Sequence, residues 1–556
     1  MWTECAKLSV FGGLSVDNMW TEWGKGPPTW KSTLAVARAG LARWGKKPRR
    51  HAVHSSVHRM WTEIGEKTVD EKNDTPQGQA CDPEASLQGS SPTPPELPHL
   101  EGNSPMTLPT GGRVGAKQVL SLAVPALGAL VIEPLLLLID SVMVGYLGTA
   151  QLAGLSLAST VLLTVVGLFV FLAYSTTAIT AKALGAGKQK EGVEAGIQAI
   201  WLAVGLGVIL AVGLSVGAEQ IVRALGADPQ VAAQATLYLR GSAFGVAGML
   251  VVLAATGTLR GLLDMRTPLM VVSAGAVVNV TLNFLLIFGL SLGILGAGIA
   301  LAITQTGMAA ALVLTILIKS RDLQVSLRPA KSGLWEAFMA GSPLLIRTVS
   351  LRLALLATVA VATSAGTVAL AAHQVVNSVL TLGAIIMDAL PIDAQSLVGV
   401  SIGSRQTGAL RTLTRTLTLW GVAAAAVIGA IVVIGAPWIP LAFGTDTEMH
   451  EVATTALRVA GTLMPIAGAV FILDGVLIGA SEGKYLAYMG VVTLLGYLPA
   501  LWFLHHEVVT AVGEGAPAAP WALPWLWVAF AGWFMALRAL TNSIRAFSPN
   551  FGVHES

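Results

Sequence analysis

From residue 117 onward the chain alternates long apolar stretches with short polar breaks, and each stretch supplies the roughly 20 residues that carry a helix across a bilayer core. Twelve such stretches occur, at about 117–146, 151–181, 193–216, 231–259, 268–291, 294–318, 334–364, 368–399, 409–435, 450–480, 484–506 and 521–546. The strands of a β-barrel would alternate polar and apolar positions, and a run such as 195–217 does not alternate. The pattern predicts an all-α integral membrane protein. Residues 1–112 differ: they mix Pro, Gly, Ser and charge, ending in Gln88-Gly-Ser-Ser-Pro-Thr-Pro-Pro-Glu-Leu-Pro98, and read as a disordered polar tail.

Composition sharpens that division. Only 12% of the 556 residues are charged, about half the share expected of a soluble domain. Of the 65 charges, 24 fall in the first 110 residues, so the remainder cannot cover soluble domains with a hydrated surface. The tail lacks the charged start, short apolar run and small-residue cleavage site of a secretory signal. Met-Trp-Thr-Glu recurs in it at Met1, Met19 and Met60. Two readings stand side by side: a cytoplasmic tail, or upstream sequence with Met106 as the functional start, the second being preferred. Both cysteines, Cys5 and Cys81, lie in this segment, so the membrane part carries no disulfide and no thiolate metal site. A net charge of +3 without a basic stripe argues against nucleic acid as a partner.

The breaks between spans divide by charge. One set holds Lys182, Lys188, Lys190, Arg260, Arg266, Lys319, Arg321, Arg328, Lys331, Arg405, Arg411, Arg415 and Lys484; the opposite set holds Arg223 alone. By the positive-inside rule the first set faces the cytoplasm, with both termini on that side of the cell (inner) membrane.

A constant offset of 218 residues relates the two halves. Pro125 matches Pro343, Gly148-Thr-Ala-Gln-Leu-Ala153 matches Gly366-Thr-Val-Ala-Leu-Ala371, Gly185 matches Gly403, Gly226-Ala-Asp228 matches Gly444-Thr-Asp446, Arg240 matches Arg458 and Gly261 matches Gly479. Six helices per copy bring the second copy into the membrane from the same side as the first, so the repeats are parallel. The expected division is an N-lobe of helices 1–6 at 113–330 and a C-lobe of helices 7–12 at 331–548. Transporters with such halves bind cargo between them and rock around it.

Ionisable residues inside the spans are expensive in lipid and mark functional positions. Among them are Glu133, Asp140, Arg240, Arg347, Arg352, Asp388, Asp393, Arg458 and Asp474. Arg240 and Arg458, near outward helix ends, read as snorkelling. Asp140 lies beyond Pro125 and Pro134, where lost N–H groups loosen the helix, and its repeat mate is Thr358. An acid present in one copy only points to chemistry rather than packing; Glu133 is a weaker version of the same case. His373 reads as a satisfied hydrogen-bonder. No nucleotide loop, zinc spacing or nucleophile elbow is present, so neither ATP hydrolysis nor enzymatic catalysis is expected.

Asp140-Ser-Val-Met-Val-Gly-Tyr-Leu-Gly148, Leu259-Arg-Gly261 with Arg266-Thr-Pro268, Ala371-Ala-His-Gln374 and Leu473-Asp-Gly-Val-Leu-Ile-Gly-Ala480 resemble the multidrug and toxic compound extrusion (MATE) family over about residues 113–546. Arg347-Thr348 in helix 7, with Asp388 and Asp474, is similar to its DinF-like branch. The resemblance implies a secondary antiporter that exports organic, often cationic, compounds in exchange for H⁺ or Na⁺, with no other cofactor. It implies a coupling role for Asp140, with Tyr238 in helix 4 and Asn279 in helix 5 beside it. The branch's second helix 5 acid is here Asn283, which leaves Asp140 to titrate alone. Coupling is thus assigned to Asp140 and Glu133, and cargo or cavity lining to Tyr238, Asn279, Asn283, Arg347, Asp388 and Asp474. The partners expected are small organic substrates and membrane lipid, with the protein a monomer. A lipid-linked or polysaccharide flippase of the wider superfamily is the alternative, and would want a strongly basic cavity.

Overall fold

The computed structural model describes residues 116–552 apart from 226–227, 406, 445, 515 and 550, together with the side chains of those residues except 116–120, 122, 133, 407 and 409. The readings made for residues 1–112, including the start at Met106, lie outside the described residues.

Every span is helical. In chain order they are α1 (Ala116–Gly145), α2 (Thr149–Gly185), α3 (Gln189–Ala224), α4 (Pro229–Ala243 and Val246–Gly261), α5 (Arg266–Gly289), α6 (Gly293–Lys319), α7 (Lys331–Ser364), α8 (Thr367–Gly403), α9 (Thr407–Gly435), α10 (Thr447–Gly479), α11 (Gly483–Gly513) and α12 (Ala519–Ala546). Among the described residues eleven are long and apolar enough to cross a bilayer unaided, and α4 makes the twelfth if its two pieces, bent by 51°, count as one. That break is not visible in the apolar pattern, because both pieces are apolar and the chain bends between Ala243 and Val246 without a proline.

The 218-residue offset reappears in the helix ends. Asp228 accepts from the Gln230 N–H at 3.0 Å to open α4, and its mate Asp446 accepts from the Glu448 N–H at 3.0 Å to open α10. The turns before α2 and α8 pass through Gly148 at φ 139° and its mate Gly366 at φ 102°, where a side chain would strain the backbone. α2 and α8 are each broken, at Phe169–Val170 and Asp388, into pieces that match at the same offset, Phe171–Gly185 and Ala389–Gly403.

These second pieces cross each other and join the halves. A Cβ on Gly185 would collide with the Val400 carbonyl, and one on Gly403 with the Lys182 carbonyl. Residues 182 and 185 are the repeat mates of 400 and 403, so the crossing is self-complementary, as a two-fold contact requires. Small residues let two backbones approach this closely inside a membrane. α4 and α10 then brace the crossing from either side: Gly257 and Gly261 lie on the Ala173 and Thr177 carbonyls, and their mates Gly475 and Gly479 on those of Pro391 and Gln395. Other approaches between the halves gather at this same end, Gly333 on Gln198 and Gly341 on Phe171 among them.

Candidate functional site

Above the crossing a cavity of about 720 Å³ lies between the halves. α1, α2, α4, α5 and α6 form one wall and α7, α8, α10 and α12 the other. Most of the lining is aliphatic, and the polar groups fall into two clusters.

The first hangs on Asp140. α1 carries it past Pro125 and Pro134, both within the helix, and it is buried, lining the cavity. Asn283 on α5 donates its Nδ2 to Asp140 Oδ1 at 2.5 Å and to Asn279 Oδ1 at 3.1 Å. Both asparagines are buried, and Asn279 Nδ2 and Asn283 Oδ1 have no partner among the described residues. Tyr238, also buried, lines the cavity with its hydroxyl directed to Ser159. Asn279 lines the cavity, whereas Asn283 stands behind Asp140 and supports it. A π-helical turn, Phe284–Gly289, starts directly after Asn283. Such turns recur beside functional residues because they rotate the following side chains out of α-helical register. Glu133 belongs to α1, but its side chain lies outside the described ones.

The second cluster is ionic. Asp474 on α10 accepts at Oδ2 from Arg347 on α7 and from Arg538 on α12, the latter at 2.5 Å, and at Oδ1 from Asn542 at 2.7 Å. Three donors from two neighbouring helices thus saturate one buried acid. Asp388, at the break of α8, lines the cavity between this cluster and Arg260. Arg352 also lines it, its guanidinium reaching Gly167 on α2. Gln395 donates its amide across the crossing to the Tyr174 carbonyl.

The structure changes three expectations. Asn283, expected to line the cavity, instead holds Asp140 from behind. Arg260, by sequence one of the cytoplasmic loop cations, occupies the last turn of α4 and lines the cavity. His373, expected to be hydrogen-bonded, has no partner at Nδ1 among the described residues, and its ring stacks on Trp527 at 5.3 Å. Arg538 and Asn542 do not stand out in the sequence. Their one signal is their i, i+4 spacing in the final span, the geometry that aims two side chains at one point.

Outside the membrane-spanning segments, Asp264 ties the α4–α5 turn to the end of α6. Its Oδ1 accepts from the Thr267 N–H at 3.0 Å, and its Oδ2 from the Thr267 hydroxyl at 2.6 Å and from Lys319. Burial pushes its carboxyl up, but these donors outweigh that and hold it below the usual carboxylate range. Glu482, its repeat mate, receives Arg545 Nη2 at 2.6 Å at the corresponding corner of the other half.

A twelve-span bundle of two like halves flanking a partly polar cavity is the architecture of a membrane transporter. The MatE family model matches residues 125–285 and again 343–502, one match in each half. The chain is 31% identical over 408 residues to "Protein DETOXIFICATION 44, chloroplastic" of Arabidopsis thaliana, covering 71% of this chain and 77% of the relative. It is 24% identical over 406 residues to "DNA damage-inducible protein F" of Escherichia coli, covering 71% and 88%. Its fold is similar to that of a MATE transporter, VcmN, from Vibrio cholerae, with a TM-score of 0.69 at 19% identity over 79% of this chain and 98% of the other. A MOP superfamily transporter from Pyrococcus furiosus is similar at a TM-score of 0.68 and 18% identity over 78% and 96%. The chain belongs to the MATE family of efflux transporters, whose members carry solutes and are not enzymes.

Proposed function

We propose that this protein is a secondary antiporter of the cell membrane that exports organic, often cationic, compounds in exchange for H⁺ or Na⁺, as a monomer with both termini in the cytoplasm. The observation that carries this is the buried Asp140–Asn283 bond opening on the cavity between the halves. An ionised carboxylate is costly to hold away from water and a protonated one is not. Closure of the cavity without cargo therefore favours a proton on Asp140, whereas a cationic cargo seated in the wetted cavity beside it favours the ionised form and displaces the proton, so ion and cargo compete for one wall. Asn283, a neutral donor, holds the carboxyl in place without neutralising it, as an arginine would. The printed names of relatives support the class of cargo: "Multidrug resistance protein MdtK" of Edwardsiella ictaluri is 26% identical over 442 residues, covering 94% of its length. Arg260, Arg347, Arg352 and Arg538 line the cavity with Asp140, Asp388 and Asp474. A wall so balanced suits an organic solute better than the polyanionic headgroup a flippase handles.

The test is reconstitution into proteoliposomes with a pH or a Na⁺ gradient imposed separately and ethidium as the probe cargo. Asp140→Asn is expected to cut gradient-driven ethidium transport at least tenfold while the protein stays folded. Wild-type transport by that variant across the range of gradients would remove Asp140 from the mechanism.

A further inference from the structure

Asp393 takes no part in either cluster. It lies on the Ala389–Gly403 piece of α8, next to the cavity-lining Ile392, is 0% exposed, and has no partner for either carboxyl oxygen among the described residues. Its repeat mate, Ser175, returns its hydroxyl to the Phe171 carbonyl at 2.8 Å and is satisfied. One half thus holds a quiet hydroxyl where the other holds a buried acid without a donor. Buried polar groups are paired in native proteins with few exceptions, and an unpaired ionised carboxylate is among the costliest.

The surroundings narrow the explanation. α1 brings Ala123 and Ala126 to this piece of α8. α2 brings Tyr174, with Lys182 at the far end under the influence of Glu482. On α10, Asp474 is saturated by Arg347, Arg538 and Asn542. On α9, Arg411 donates to the Phe547 carbonyl and Arg415 is exposed. Asp388 shares α8 with Asp393. The cation whose charge reaches Asp393 is Arg260 of α4, which has no ion pair among the described residues. Arg260 belongs to one half and Asp393 to the other, so the gap between them follows the angle between the halves.

We propose that Asp393 is a second proton-binding site, in the opposite half from Asp140, loaded while the halves are closed on each other at the α2–α8 crossing and unloaded beside Arg260 when they part there. In the closed state Gly399 against Ala181, and Gly185 and Gly403 against the facing carbonyls, shut water out, and a neutral carboxylic acid is the form that tolerates the site. Rocking must break this crossing, because it is where the halves join. Water and the guanidinium then reach Asp393, its proton leaves to water on that side, and a carboxylate facing Arg260 remains. Return to the closed state takes a proton back by way of the cavity. Asp393 thereby supplies from the C-lobe the second acid that Asn283 withholds from the N-lobe. Its use in transport rests on the antiport reading; its existence as a proton site does not.

Infrared difference spectra of the purified full chain in lipid, recorded across a pH titration, test this without any cargo. The wild type is expected to show carboxylic-acid carbonyl bands from two separate groups, one removed by Asp140→Asn and the other by Asp393→Asn. Arg260→Gln should move the Asp393 band to higher pH, because a neighbouring cation favours the ionised acid. Asn has the shape of the protonated acid, so Asp393→Asn should melt like the wild type. A spectrum of Asp393→Asn that superimposes on the wild type at every pH would overturn the proposal, whatever Asp140→Asn does. Were Asp393→Asn to fail to fold, the site would be a permanently ionised partner and the proposal would equally fall. An Arg260→Gln titration identical to the wild type would overturn the pairing of Asp393 with Arg260, and with it the unloading step.

Discussion

The two halves share a scaffold and differ in what they place on it. Asp140 and Asn279 face one another across α1 and α5 with Asn283 between them, and their mates, Thr358 and Tyr497, face one another across α7 and α11, bonded hydroxyl to hydroxyl at 2.9 Å. Duplication has kept a polar contact at this level in both copies, but only the first is ionisable at neutral pH. The second half puts its charge elsewhere, in the saturated Asp474 cluster, whose mates Thr256 and Ala129 in the first half carry none. A carboxyl held by one neutral amide is free to gain or lose a proton. A carboxyl held by two guanidiniums and an amide is locked.

The same substitution made in each half separates a movable charge from a fixed one. Asp474→Asn would leave Arg347 and Arg538, whose side chains are 14% and 10% exposed, without their counter-ion. Breaking a buried pair in this way costs about 3 kcal/mol, at the lower end for a site that borders a cavity. Asp140→Asn keeps an Oδ1 for Asn283 to donate to and should cost close to nothing. Thermal unfolding of the two purified variants in detergent measures both. Equal losses would mean that Asp140 is as fixed as Asp474, and the contrast between the halves would fail.

How far this contrast is legible in the sequence follows from what each signal depends on. The spans, their number and the repeat are local or periodic properties, and lipid enforces them on the sequence directly. Asp140 is visible because its mate is Thr358, an asymmetry that needs no structure to see. Arg260 and Arg538 are not, because a cation near the end of an apolar helix reads equally as a snorkelling side chain or an inward one. Helix rotation decides between them, and partners remote in sequence set that rotation, Asp474 for Arg538 among them. The crossing of α2 and α8 is hidden for the same reason: Gly185 and Gly403 stand out as repeat mates, but nothing in the spacing says that each would lie on the other half's carbonyls.

A smaller effect tests the quiet partner of Asp140. Thr358→Val removes the hydroxyl that bonds Tyr497 and leaves the phenol buried without it. The expected cost is about 1–2 kcal/mol, with gradient-driven transport of ethidium unchanged in its dependence on pH. A changed pH dependence would give the second half a share in ion coupling that a Thr–Tyr pair cannot have by titration.

The smallest predicted difference lies at the corners where the halves otherwise match. Asp264 and Glu482 are repeat mates, each paired with a basic residue at the end of its half, but Asp264 also accepts the Thr267 N–H and so caps the start of α5. Glu482 makes no such bond to α11. Lys319 is half exposed, so the ion pair itself contributes little, and the cap dominates at about 1 kcal/mol. Asp264→Ala, which removes the cap, should therefore destabilise slightly more than Glu482→Ala at neutral pH. The sign of its pH dependence follows from the folded state holding the Asp264 carboxyl below its unfolded value, near 3.9. The ionised form is the stabilising one, so its contribution is complete above that value and is lost as pH falls through the lower, folded-state value. Melting curves of wild type and Asp264→Ala should accordingly lie furthest apart from neutral pH down to about 4 and draw together below it. A gap that persists unchanged into strong acid would show that the carboxyl acts by shape alone and that its charge adds nothing to this corner.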